Sequence, residues 1–88
     1  MICQRVHYHG RVQGVGFRYT ARSIAQGFAV AGTVRNEADG SVKLVVQGER
    51  GQVEAFLAAL AQRMAGNIER AEIHDELLGD FVDFRILH

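Results

Sequence analysis

The sequence has a single cysteine, Cys3, carries no net charge, and nowhere runs apolar for long. Each lack excludes something. One thiol can form no internal disulfide and suits a reducing compartment. Ten basic residues balance ten acidic ones, so no general excess of charge draws the chain to nucleic acid or to an anionic membrane. Any attraction for an anion must come from a focused site. The opening MICQRV lacks the apolar core of a signal peptide, and no segment approaches membrane-spanning length. Repeats, linkers and low-complexity stretches are missing too. The 88 residues suffice for one modest core and are too few for two. Residues 1–88 are therefore expected to form one cytoplasmic domain.

What is present is a change of hydrophobic period. Residues 2–12 alternate, with Ile2, Val6, Tyr8 and Val12 on one face and Cys3, Arg5, His7, His9 and Arg11 on the other; Gln4 is a polar exception on the first face. That is a half-buried strand. From Phe17 the apolar positions fall three or four apart, at Phe17, Ala21, Ile24 and Phe28, with Gly27 placed as a terminator. Alternation returns at Val30 and Val34, and again at Val42, Leu44 and Val46, with the turn-forming EADG between them predicting a hairpin. Val53, Phe56, Leu57, Leu60, Ala61 and Met64 make a second helical stripe. Ala71 and Ile73 mark a further strand, and Phe84 and Ile86 a short final one.

The order strand, helix, strand, strand, helix, strand is the split arrangement of ferredoxin-like domains. The expected class is α+β: an antiparallel sheet with two helices on one face, the other face open to solvent, and a short C-terminal strand. A crossover returns the chain in its original direction, so the first two strands end at one edge of the sheet, two strand spacings or roughly 10 Å apart. The loop leaving the first strand and the end of the second, at Val34, Arg35 and Asn36, are then neighbours.

That loop, GRVQGVGFR from Gly10 to Arg18, has three glycines and no acid. A loop that opens a helix presents backbone N–H groups without intrahelical partners, together with the positive end of the helix dipole, and such a place holds phosphate. Gly14 and Gly16 let successive N–H groups turn toward one point. Arg18 offers a planar fork matched to two phosphate oxygens. The plain alternative is a tight connection followed by a solvated arginine. Neither a nucleotide P-loop nor a dinucleotide fingerprint is present, and no acidic ligand for magnesium stands out. Asn36 continues the inward alternation of Val30 and Val34, yet it is polar. It is either a turn asparagine or an amide suited to holding a water beside a bound phosphate.

GRVQGVGFR followed by GTVRNEADGSVKLVVQG resembles the paired signature of the acylphosphatase family, and the likeness of element order extends over nearly the whole chain. The resemblance implies hydrolysis of acyl phosphates, with Arg18 binding the phosphoryl group, Gln13, Gly14, Val15, Gly16 and Phe17 cradling it through the backbone, and Asn36 orienting the attacking water. It implies no cofactor and no metal. It further implies a small acyl phosphate as substrate and inorganic phosphate as product and inhibitor, and the chain is expected to act as a monomer. Thr33 departs from the family, which usually has an aromatic residue there, and MAGNIERAE lacks the family's proline after the second helix. A module that binds phosphate or carbamoyl phosphate without turnover is the alternative, and an RNA-binding ferredoxin-like domain is a further one.

Other clusters have simpler explanations. His7 and His9, with His74 facing them from the neighbouring strand, suggest zinc only if a fourth ligand exists, and none is evident. Glu37 and Asp39 fit a turn better than an acid–base pair. Cys3 reads as a small strand residue. RNA-recognition domains stack bases on aromatics of the central strands, whereas SVKLVVQG has none.

Overall fold

Tyr8 and Phe17 stand on either side of the point where the strand period gives way to the helix period, and their rings meet with centroids 4.9 Å apart. A computed structural model describes Met1–His88. The elements are β1 (Ile2–Gly10), α1 (Phe17–Ala25), β2 (Val30–Asn36), β3 (Val42–Gly48), α2 (Arg50–Arg63), β4 (Ile68–Asp75) and β5 (Phe84–Leu87). One sheet forms in the order β4-β1-β3-β2-β5. β3 lies between β1 and β2 and runs antiparallel to both, with Val6 opposite Leu44 and Val34 opposite Leu44. The split β-α-β arrangement is therefore present. β5 adds to β2 in parallel, so the sheet is mixed, and the expectation of a wholly antiparallel sheet holds for the first four strands only.

The core lies between the sheet and the two helices. Val6, Tyr8, Val12, Val34, Val42, Leu44 and Val46 supply one side, and Phe17, Ala21, Ala25, Val53, Phe56, Leu60 and Met64 the other. Burying such side chains is worth about 1.5–3 kcal/mol each for the larger ones, which is what holds these elements together. Aromatic contacts tie the far end, with Phe56 against Phe28 and Phe84 at 6.3 and 5.5 Å between centroids.

Four details differ from the sequence expectation. β1 ends at Gly10, although Val12 is still buried. α1 ends at Ala25, and Phe28 lies in the turn beyond, where its N–H bonds the Ala25 carbonyl at 3.1 Å. Ala61 is exposed rather than part of the α2 stripe. Ala71 and Ile73 are exposed as well, because the helices lie chiefly over β2, β3 and β5 and leave the β4 edge uncovered.

The outer face is also less open than alternation implies. The segment after β4 crosses it. The Gln47 side chain exchanges two hydrogen bonds with the Gly79 backbone, at 2.8 and 3.1 Å, after the Glu76 N–H has extended the β1–β4 pairing by one rung to the Cys3 carbonyl at 2.9 Å. Cys3, Val45 and Gln47 are consequently buried on a face predicted to be solvated. Burial, reinforced by the nearby Glu76 carboxylate, pushes the Cys3 thiol above its ordinary pKa, so it is a poor nucleophile at neutral pH.

Candidate active site

β1 and β2 do end at one edge of the sheet, on either side of β3. The loop between β1 and α1 stands at that edge. From Val12 to Tyr19 no backbone N–H is hydrogen-bonded within the chain; the Thr20 N–H, bonded to the Gly16 carbonyl at 2.9 Å, is the first that is. A run of unpaired donors at a helix start is an anion site in the making, since each donor must find water or a ligand. Gly14 and Gly16 adopt left-handed φ angles of 76° and 77°. A Cβ at either position would meet no atom within 4 Å. Conformation, not crowding by the protein, is what requires glycine there.

Gly16 serves as the N-cap of α1 without any side-chain cap, and the first turn of that helix holds no acid. The positive end of the helix is left uncompensated. Val12, Gly14, Gly16, Phe17, Arg18, Tyr19 and Asn36 line one cavity of about 130 Å³. Arg18 and Asn36, 18 positions apart in the chain, thus face the same space. The Arg18 guanidinium donates from Nη1 to the Leu87 carbonyl at 3.2 Å, with His88 Nδ1 at 3.4 Å. β5 thereby holds the arginine from behind. Asn36 reaches the cavity with its side-chain amide unbonded to the rest of the protein.

Gln13 and Val15 belong to the loop but do not line the cavity. Val15 points outward and is exposed. The Gln13 amide turns instead toward the β2–β3 hairpin, where Nε2 donates to the carbonyls of Glu37 and Ser41 at 2.8 and 2.9 Å. Tyr19 is a lining residue that sequence reasoning passed over. Its place beside Arg18, off the Phe17–Ala21 stripe, was the available signal. The Leu87 contact had none, because it is made by a backbone carbonyl.

The hairpin that carries Asn36 is itself well braced. Asp39 Oδ1 accepts from the Ser41 N–H and hydroxyl at 2.9 and 2.6 Å. Those bonds hold the Asp39 carboxyl below its usual pKa. Burial raises the Tyr8 phenol far above its ordinary value, so Tyr8 is a neutral part of the core beneath Phe17. The histidines lie on the outer face in surface pairs: His9 Nε2 is 2.7 Å from Glu72, and His7 Nε2 is 3.9 Å from Glu37. His74 stands opposite Arg5 rather than opposite either histidine. No three His, Cys, Asp or Glu side chains converge as metal ligands.

Comparison with known proteins agrees with this geometry. The acylphosphatase family model matches residues 4–86. An acylphosphatase from Acaryochloris marina is 39% identical over 88 residues, covering 99% of this chain and 95% of that protein. The crystal structure of acylphosphatase from Bacillus subtilis superposes with a TM-score of 0.89 at 28% identity, covering all of both chains. The chain also matches 12% of HypF from T. kodakarensis, with a TM-score of 0.87 at 30% identity over the whole of this chain. By sequence, fold and the loop that opens its first helix, this chain belongs to the acylphosphatase family.

Proposed function

We propose that the chain hydrolyses acyl phosphates to a carboxylate and inorganic phosphate, by direct attack of a water on a phosphoryl group held in the cavity between Gly14 and Asn36. One observation carries the reading: an unpaired run of N–H groups, a permanent cation and an unbonded amide share one cavity of about 130 Å³. The N–H groups of the loop residues that line the cavity, Gly14, Gly16 and Phe17, and the Arg18 guanidinium take the equatorial oxygens and stabilise the charge on them. The Asn36 amide holds the water in line. Asparagine is a poor base, so its role is orientation.

The leaving group explains why so few side chains suffice. A carboxylate departs with a conjugate-acid pKa near ~4–5, so no general acid is needed to protonate it. The cavity lining offers no carboxylate, thiolate or imidazole to hold a divalent cation, so positioning and fixed charge carry the reaction. Residues 1–88 act as one domain and as a monomer in the cytoplasm, on a small molecule rather than on nucleic acid or membrane. The balanced charge supports a small-molecule substrate over nucleic acid.

The test is direct assay with benzoyl phosphate. Hydrolysis that survives chelation and is competitively inhibited by inorganic phosphate is expected. Phosphate binding without turnover would make the chain a binding module instead.

A further inference from the structure

The loop that receives phosphate has no ladder to hold it in register with the sheet. Its backbone donors from Val12 to Tyr19 are unpaired, and no atom packs within 4 Å of where a Cβ would stand on Gly14 or Gly16. Val12 and Phe17 anchor its two ends in the core. Between them one side chain ties the loop across to the hairpin: Gln13, whose Nε2 donates to the carbonyls of Glu37 and Ser41 at 2.8 and 2.9 Å. Two acceptors on one amide nitrogen use both of its hydrogens.

The target is well chosen. Glu37 follows Asn36 directly, and the Glu37 N–H bonds the same Ser41 carbonyl at 2.8 Å. The Glu37 carbonyl also accepts from the Gly40 N–H at 3.2 Å, and Asp39 locks Ser41 from the other side. Gln13 therefore grips the rigid base of the turn rather than its tip. The phosphate-holding loop is tied to the strand end that presents Asn36.

We propose that Gln13 is a positioning residue for the reaction: its side chain sets the distance between the phosphoryl cradle and the water held by Asn36. This rests on the function proposed above. Gln13 touches neither substrate nor water through its side chain. With the tie cut, the loop and helix start still offer their N–H groups and Arg18 to phosphate, but Asn36 no longer stands at a fixed offset. Reacting atoms displaced by about 1 Å can lose on the order of a hundredfold in rate.

Gln13→Met keeps the length and bulk of the side chain and removes both donors. The expected result is a fall in kcat of roughly tenfold or more, with affinity for inorganic phosphate changed by less than about threefold, because the lost contact serves the transition state only. Gln13→Glu, which sets an acceptor against two carbonyls, should be at least as slow at neutral pH. The deciding measurement is a double-mutant cycle with Asn36→Ala. If Gln13 acts through Asn36, Gln13→Met should slow the Asn36→Ala enzyme by little, about twofold or less. Additive losses, or equal losses of kcat and phosphate affinity, would show that Gln13 merely shapes the cradle and overturn the proposal. Circular dichroism and thermal melts on the same samples check folding, and Gln13→Leu, which also lacks the donors and adds no charge, serves if Gln13→Met melts. Absence of hydrolysis by the parent chain would instead refute the proposed function.

Discussion

The guanidinium of Arg18, in the first turn of α1, donates to the backbone carbonyl of Leu87 at the end of β5, 69 positions away and 3.2 Å distant. The contact restrains a long side chain that would otherwise sample many rotamers, and it uses one of five N–H donors. The remaining fork is free to face the cavity shared with Asn36. Pre-orienting the arginine lowers the entropy lost when phosphate binds.

Arg18→Lys should separate charge from geometry. A lysine keeps the positive charge but cannot hold two oxygens and the Leu87 carbonyl with one planar group. Loss of a charge-assisted contact is worth about 1.5–3 kcal/mol, so kcat/KM should fall on the order of ten- to a hundredfold. The fold should survive, because Arg18 is only half-buried. Unchanged turnover in a folded variant would refute the role given to the guanidinium in holding the phosphoryl group.

Asn36→Ala should separate binding from chemistry. Calorimetry should find inorganic phosphate bound about as tightly as by the parent, while single-turnover hydrolysis of benzoyl phosphate slows on the order of a hundredfold. Asn36→Asp should be no better, since a carboxylate beside the phosphate repels it. If Asn36→Ala loses affinity and rate equally, the asparagine belongs to the cradle.

Gly16→Ala tests the loop conformation. Nothing lies within 4 Å of the added Cβ, but φ is 77°. Holding alanine there costs about 1–2 kcal/mol. The denaturation midpoint should drop accordingly, and phosphate affinity with it as the N–H groups turn away. A variant as stable as the parent would mean that the loop does not need its left-handed turn.

Asp39 offers a pH test. Ser41 holds its folded-state pKa below the ordinary value. A depressed carboxyl contributes stability that is fully present above its unfolded pKa, near ~4, and is lost as pH falls through the lower folded value. The stability gap between the parent and Asp39→Ala should therefore be constant at neutral pH and shrink only in acid. Denaturant titrations across that range would show it; a gap that widens in acid would contradict the assignment.

Much of the site was legible beforehand for a physical reason. Gly14 and Gly16 announce positive φ, Arg18 opens a helix, and Asn36 breaks an apolar alternation; each is a departure from a local rule. The residues that line the cavity and were read from sequence (Gly14, Gly16, Phe17, Arg18 and Asn36) are all of this kind or adjoin it. Gln13 was read only as part of the backbone cradle, because an amide side chain does not say which carbonyl it will find.

The order and type of the elements follow from local pattern alone, since periods of 2 and 3.6 are properties of neighbouring residues. The same pattern marks where the chain must turn left-handed and which cation and amide stand at the edge of the sheet. What holds them depends on the folded chain. Leu87 restrains Arg18, and Glu37 and Ser41 receive Gln13, through backbone carbonyls. The β4 face is left bare and the outer face is covered at Cys3 by packing across long separations. Every residue carries the same carbonyl, so no side-chain pattern marks the ones that will be used; only the fold, by bringing distant segments within hydrogen-bonding reach, selects them.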